Sequence, residues 1–395
     1  MNELRPPSGQ DYLLRARAIA PVIEGAVNEI ERSRQLTPAV KKALMDGGFY
    51  RMLQPLFLGG GELSLASFAE VIEEFAKVDA STAWCLSQCC TCAMAAAYLD
   101  RATAIEVFGP PDGIAAWGPP APSEARMVEG GYRVTGTWNF ASGGHQASWI
   151  GGQSHVIGLD GAPQRKPNGT PVIRMMLLPQ KDVRMMDAWN VMGLKGTGSD
   201  TYAVKDLFVP ERFSFGRDEA VDRRENGLLF KFSTSNVYSF GFAAVALGIA
   251  RRMLDDATRI VAEKTPYGTK RAMRGNNVVQ AQIGRSEAAL RSARTYLFTT
   301  AQNIWREAAE NPTLSMDQKI EIRLSSATAI HQAAEVADTV YHMVGSTAVF
   351  EKNPFEQRFR DIHTVTQQLQ GRQSHYESVG QVLLGFEPDA ALFST

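Results

Sequence analysis

Ser142 has the surroundings most suited to chemistry. It ends the run Tyr-Arg-Val-Thr-Gly-Thr-Trp-Asn-Phe-Ala over residues 132–141 and is followed by Gly143 and Gly144. The first part of that run alternates as a strand does, and β-branched and aromatic residues dominate it. Glycine lacks the side chain that would hold a flat ligand away from the main chain. A serine hydroxyl at such a strand end can donate one hydrogen bond and accept others. Taken alone, the stretch fits a β-bulge or hairpin corner with an incidental serine better than a site.

Other reactive residue types are soon placed. All four cysteines lie close together, at positions 85, 89, 90 and 92. A zinc site needs a second pair of cysteines or histidines, and none follows. The segment Ala-Trp-Cys-Leu-Ser-Gln-Cys-Cys-Thr-Cys-Ala reads as one buried helix with Cys85, Cys89 and Cys92 on one face. Cysteine packs well there as a small buried residue, so no metal is expected. Gly59 to Gly61 and Gly196-Thr197-Gly198 lack the spacing and the strand–helix context of a dinucleotide loop. His155, His331, His342 and His375 receive no role.

The bulk properties bound the rest. With 395 residues, 44% of them hydrophobic, the chain can bury a large core in two or three domains. Its 41 basic and 42 acidic residues give a net charge of −1, without like-charge blocks. Nucleic acid and a membrane surface are therefore poor expectations as partners. The start, Met-Asn-Glu-Leu-Arg-Pro-Pro, has no apolar run after a basic residue, and no stretch reaches the roughly 18 uninterrupted apolar residues of a span. A cytoplasmic protein is expected.

The elements that must position Ser142 fall into three blocks. Residues 1–113 read as an all-α domain, with helices over 11–35, from Thr37-Pro38 to Met45, over 64–78 and through the cysteines. Residues 114–226 read as a β-barrel of short strands at 113–117, 132–140, 148–157, 172–178, 183–189 and 202–209, punctuated by Gly and Pro. Residues 227–395 read as an antiparallel four-helix bundle, with helices over 235–262, 278–310, 316–343 and 364–384. In the first of these, Gly241, Ala243, Ala244 and Gly248 suggest close helix contact.

A second stretch, Trp-Asn-Val-Met-Gly-Leu-Lys-Gly-Thr-Gly-Ser-Asp over 189–200 and on to Pro210, changes the weight given to Ser142. Together the two stretches resemble the middle domain of the acyl-CoA dehydrogenase superfamily. Gly136, Phe140 and Ser142 match its strand motif, in which a Thr or Ser lies against flavin. The segment Gly345…Asn353-Pro354…Arg358-Phe359-Arg360-Asp361 resembles the superfamily's G-G-x-G…R-x-x-R-D. Helices, then β, then helices is that superfamily's order, so the resemblance implies an α+β, acyl-CoA dehydrogenase-like fold. The Trp138-x-Phe140-x-Ser142-Gly143 form resembles its two-component flavin-dependent monooxygenase branch.

Dehydrogenases of the superfamily need a carboxylate base, since the C–H beside a thioester is too weak an acid without one. The two positions that carry it correspond to Leu369 and Tyr238, and neither is acidic. The monooxygenase branch instead holds a flavin C4a-hydroperoxide in a dry pocket. The resemblance puts Ser142 beside the flavin as a hydrogen-bond donor. It places Gln368 where the branch often has a histidine. An amide can donate a hydrogen bond but carries no proton at neutral pH. His363 or His145 could take that part, although a second-layer or solvated histidine explains each as well.

Phe140 and Trp189 are expected as walls of the flavin site, with Trp117, Trp84, His145 and Tyr238 in the substrate pocket. For Trp117, ordinary core is a strong competitor. Lys270, Arg271 and Arg274 replace the superfamily's phosphate-binding arginine region, where a solvated basic loop is the default.

The expected activity is hydroxylation of a small aromatic or heteroaromatic substrate with O2 and with FMN or FAD supplied reduced by a separate reductase. A homotetramer is implied, and the weakened phosphate motif leans toward FMN. The alternatives are an acyl-CoA dehydrogenase-like enzyme or oxidase of nitrogenous substrates, and a non-catalytic scaffold of the same fold.

Overall fold

A computed structural model describes residues 6–388 apart from Pro312. The first five residues, Pro312 in the break expected near Asn311, and residues 389–395 of the last expected domain lie outside the described part. The chain opens with α1 (Gly9–Glu24), α2 (Val27–Ser33), α3 (Pro38–Asp46), α4 (Leu65–Ala76), α5 (Ala80–Ala93) and α6 (Arg101–Phe108). The single helix expected over 11–35 is two. The Gly25 N–H turns back to Pro21 and Ile23, which ends α1 before α2 begins. α3 starts as its sequence suggests, with the Thr37 hydroxyl accepting from Val40 N and Pro38 in the first turn.

The middle of the chain forms one mixed sheet. Its strands are β1 (Ala115–Trp117), β2 (Ser123–Val128), β3 (Gly131–Trp138), β4 (Trp149–Ile157), β5 (Ile173–Pro179), β6 (Arg184–Met186), β7 (Thr201–Pro210) and β8 (Ser214–Phe215). The order is β6-β7-β3-β2-β4-β5-β8, and β1 runs parallel to the first half of β4. Among the described residues the terminal strands β6 and β8 do not pair, so the sheet is not a hydrogen-bonded closed barrel as expected. The pairing of β3 with β7 is decisive for the site. Trp138 lies opposite Tyr202 in an antiparallel register. The chain leaving β3 and the chain entering β7 therefore emerge side by side.

The last third contains α7 (Thr234–Glu263), α8 (Asn277–Glu310), α9 (Met316–Val344), α10 (Phe355–Thr366) and α11 (Ser374–Leu383). α7, α8 and α9 pack on one another, and α10 closes against α9 and α7. The expected fourth helix over 364–384 is broken between Gln367 and Gln373, where a short 3-10 turn at Leu369–Gly371 reverses the chain. α7 is the central helix. A side chain at Gly241 would strike Ser87 of α5, and one at Gly248 would sit 2.5 Å from Ala76 of α4. By length and composition α7 could cross a membrane, but 89% of its most apolar window is buried within the protein. It is a core helix.

α5 is buried along its whole length. Its four cysteines are free thiols that fill the core, and none of them contributes to a possible metal cluster among the described residues. Cys90 Sγ donates to Phe49 O at 3.2 Å, and Cys92 Sγ lies 3.5 Å from the Tyr238 hydroxyl. Burial pushes all four thiols well above their ordinary range, so they are protonated and inert.

Candidate active site

A cavity of about 430 Å³ opens where α5, α7, the sheet and the α10–α11 turn meet. Seven of the expected residues line it: Trp84, Trp117, Phe140, Ser142, Trp189, Tyr238 and Gln368. A wider open groove crosses the sheet along β2, β3, β6 and β7, but it has no aromatic wall and holds none of the expected residues.

The two sequence stretches are zipped together beside this cavity. Ala141 N donates to Asp200 O, and Gly143 N donates to Thr197 O, both at 3.1 Å. Phe140 and Leu194 take left-handed backbone conformations, with φ of 65° and 52°, and Gly143 and Gly198 do so at 78° and 49°. For Phe140 and Leu194 this is strain, held by the surrounding bonds and concentrated at the cavity wall. Its consequence is visible at Phe140, a residue 54% exposed whose ring meets Trp189 edge to face at 6.1 Å. An exposed ring on a strained residue is a wall awaiting a partner.

Trp189 is fixed from behind. Asp200 Oδ1 accepts from the backbone N–H groups of Ala188 and Trp189 at 2.8 and 2.9 Å. His145 Nε2 sits 2.8 Å from Asp200 Oδ2. The Trp189 indole donates to Leu194 O at 3.0 Å. His145 therefore does not line the cavity. It steadies the carboxylate that holds the wall.

Ser142 lies in a directed chain of hydroxyls. Thr197 Oγ1 donates to Leu194 O at 2.8 Å, which uses its only proton. Ser199 Oγ, 2.7 Å from Thr197 Oγ1, must then donate to it. Ser142 Oγ, 2.6 Å from Ser199 Oγ, must in turn donate to Ser199. The Trp84 indole donates to Ser142 Oγ at 3.1 Å. Ser142 is left with one lone pair and no proton for the cavity. It is an acceptor there, which corrects the expectation of a donor.

Trp84, Phe242 and Tyr238 form a parallel aromatic stack. Their centroids are 3.9 and 5.3 Å apart, with interplanar angles of 16° and 1°. Helical spacing explains it, since Tyr238 and Phe242 are four apart on α7, as Trp84 and Gln88 are on α5. Gln88 Nε2 donates to Trp117 O at 2.8 Å and to the Tyr238 hydroxyl at 2.9 Å, tying the stack to β1. Burial raises the Tyr238 phenol well above its ordinary range, so it stays protonated.

The lining contains no Asp or Glu. The two positions where a dehydrogenase base would sit, Leu369 and Tyr238, both face the cavity. Three buried donors have no hydrogen-bond partner: Gln368 Nε2, Trp117 Nε1 and Arg217 Nε. Buried donors left open ask for an acceptor-rich ligand. An isoalloxazine ring fits these features, being flat and bearing carbonyl and nitrogen acceptors. Phe140 and Trp189 would flank it, with Ser142 at its edge and Gln368 donating to it.

His363 lies outside the lining. Its Nε2 is 2.9 Å from Asp338 Oδ1, and its ring packs against Phe359. Thr364 of α10 and Gln367 and Gln368 just beyond its end form the wall instead. Lys270, Arg271 and Arg274 are on the loop between α7 and α8, well exposed or nearly so, and none of them lines the cavity. Sequence reasoning missed Ser199, Arg217 and Phe242. Phe242 could have been found as the i+4 partner of Tyr238. Ser199 and Arg217 are brought in by the tertiary fold alone.

Residues 240–371 match the family described as Acyl-CoA dehydrogenase, C-terminal domain. An indole-3-acetate monooxygenase of Pseudomonas putida is 30% identical over 363 residues, covering 92% of this chain and 90% of that protein. The oxygenase component of p-hydroxyphenylacetate 3-hydroxylase of Acinetobacter baumannii is 25% identical, with 98% and 92% covered. The fold is shared with XiaF of Streptomyces sp., solved in complex with FADH2 and glycerol. That likeness has a TM-score of 0.88 at 23% identity and covers 97% of each chain. The protein belongs to the flavin-dependent aromatic monooxygenases of the acyl-CoA dehydrogenase superfamily.

Proposed function

We propose that the protein takes FMNH2 or FADH2 from a separate reductase and inserts one atom of O2 into a small aromatic or heteroaromatic substrate. It would work in the cytoplasm as a homotetramer built through α7–α9. Reduced flavin, when bound, supplies the electrons that activate O2. The observation that carries this reading is the polarity of the Ser142 hydroxyl chain. The isoalloxazine N5 bears a hydrogen only when reduced. A side chain that presents a lone pair and no proton matches the reduced form and is poorly matched to the oxidised one.

The remaining residues have defined parts. Phe140 and Trp189 hold the ring flat and exclude water. Gln368 donates its open amide to a ring acceptor. The Trp84–Phe242–Tyr238 stack offers an aromatic surface to the substrate. The absence of a carboxylate from the lining weighs against a dehydrogenase or amine-oxidase reading.

Rapid mixing tests this. Anaerobic protein with FMNH2, and separately with FADH2, is mixed with oxygenated buffer while flavin absorbance is followed. The reading expects reoxidation to be delayed well beyond that of free flavin, and product to form when an aromatic substrate is present. Reduced flavin that neither binds nor reoxidises more slowly would overturn it. The two flavin arms decide between FMN and FAD.

A further inference from the structure

Arg217 follows β8 and lines the same cavity as Phe140 and Trp189. Its Nε is buried and has no hydrogen-bond partner. Among the described residues its ion-pair partner is Asp218, whose Oδ2 is 3.7 Å away, beyond hydrogen-bond reach. Asp218 is committed elsewhere, accepting from Thr234 N at 2.9 Å and from Thr234 Oγ1 at 2.8 Å. Arg217 is close enough to Tyr238 and Cys92 to favour their ionised forms. It shares the cavity lining with Gln88, Tyr238 and the aromatic stack. The lining's other arginine, Arg372, is exposed in the α10–α11 turn and makes no side-chain hydrogen bond or ion pair.

A guanidinium carries five donors in a planar fork and stays charged throughout the usual pH range. Left inside a cavity without acidic side chains, it favours an anion, and its fork fits a carboxylate on two bonds. The aromatic slab beside it accepts a flat ring. We infer that the substrate is an aromatic acid whose carboxylate is held by Arg217, with its ring on the Trp84–Phe242–Tyr238 stack.

This rests on the monooxygenase reading but is tested apart from it. Direct calorimetric binding compares matched acid and neutral pairs, indole-3-acetate with 3-methylindole and 4-hydroxyphenylacetate with 4-methylphenol. It is run with reduced flavin under anaerobic conditions and again without flavin. At least one acid is expected to bind more tightly than its neutral partner. In Arg217→Gln the acid should lose about 10–100-fold, the usual range for a charged hydrogen bond, while the neutral compound changes little. Arg217→Lys should recover part of the loss. The Arg217 side chain makes no hydrogen bond and only a 3.7 Å ion pair with Asp218, so these variants should melt close to the wild type, and a melting scan checks that. Binding of no acid, equal binding of acid and neutral partners, or an acid preference that survives Arg217→Gln would each overturn the assignment. A fall in flavin affinity with acid binding intact would do so too, by giving Arg217 to the flavin phosphate. Failure of the wild type to hold reduced flavin would instead strike the monooxygenase reading, because acid binding is also read without flavin.

Discussion

The two ends of the cavity are built on opposite principles. At the Ser142 end the hydroxyls of Ser142, Ser199 and Thr197 are all paired inside the protein, and the chain of bonds runs to one carbonyl. At Arg217 the Nε donor is left without a hydrogen-bond partner, with the Asp218 carboxylate 3.7 Å away. A satisfied network is rigid and presents one fixed lone pair. An unsatisfied donor is costly until something binds. The first end thus suits a cofactor that must be held in one orientation, and the second suits a ligand that comes and goes.

Breaking the support of the first end should have the largest effect. Asp200 is buried and accepts from Ala188 N, Trp189 N and His145. Asp200→Ala strands two backbone donors and frees the Trp189 wall. Each buried donor left open costs about 1–3 kcal/mol, so the variant should lose roughly 3 kcal/mol in urea unfolding and most of its affinity for reduced flavin. His145→Ala removes one of the three bonds and should do proportionately less. Equal loss in both would mean that the histidine, not the carboxylate, organises the wall.

A pH experiment examines the anchor beneath the same end. Asp361 accepts from Leu194 N at 2.5 Å, and Leu194 O terminates the hydroxyl chain. Burial pushes the Asp361 carboxyl up to about 8, against the bond from Leu194, which lowers it. A folded-state pKa above the unfolded one means stability that is present at low pH and lost as pH rises. Asp361 should therefore subtract stability progressively between about pH 4 and pH 8. Asp361→Asn keeps an acceptor for Leu194 N and should flatten that part of the stability profile. An unchanged slope would show that the carboxylate ionises freely.

Within the hydroxyl chain the effects are smaller and of different kinds. Ser142→Ala removes the acceptor and should speed reoxidation of bound flavin, with wasteful peroxide release, by roughly tenfold, the value of one ordinary hydrogen bond. Ser199→Ala leaves Ser142 in place but releases its proton to turn toward the cavity. That variant should bind oxidised flavin several-fold more tightly than the wild type, read by flavin fluorescence, with little change in stability. If oxidised flavin binds no better, the polarity of the chain does not select the redox state.

Most of the fold was legible because its elements are long and periodic or strongly punctuated. The α–β–α order and the site stretches at 132–149 and 189–210 follow from pattern and resemblance. The breaks at Gly25–Ala26 and 367–373 each carry a glycine, but a lone glycine inside a helical pattern does not by itself mark a helix end. Tertiary geometry hid more. Trp84 and Ser142 are 58 residues apart, and only their contact shows where the Ser142 proton goes. Arg217 sits in a short connection without a pattern, and its significance lies in what it does not bond. His363 looked functional by position beside Arg360-Asp361, but helical phase turns Thr364 to the cavity, the break after α10 brings Gln368 there, and His363 is left with Asp338.

The basic loop sharpens the comparison by its expected lack of effect. Lys270, Arg271 and Arg274 lie outside the cavity of this chain, on a segment whose side chains are largely in water. Replacing all three by Ala should leave thermal unfolding close to the wild type, as exposed substitutions usually do within about 0.5 kcal/mol each. Affinity for FMNH2 should also stay within a few-fold, because both ends of the cavity are built without them. FADH2 is the discriminating ligand. Its second phosphate and adenosine extend beyond the isoalloxazine, and in an oligomer they could reach the loop of a neighbouring copy. A selective loss of FADH2 affinity, with FMNH2 unchanged, would place that loop in the site of another subunit. Equal and small changes for both flavins would make it a solvated connection between α7 and α8.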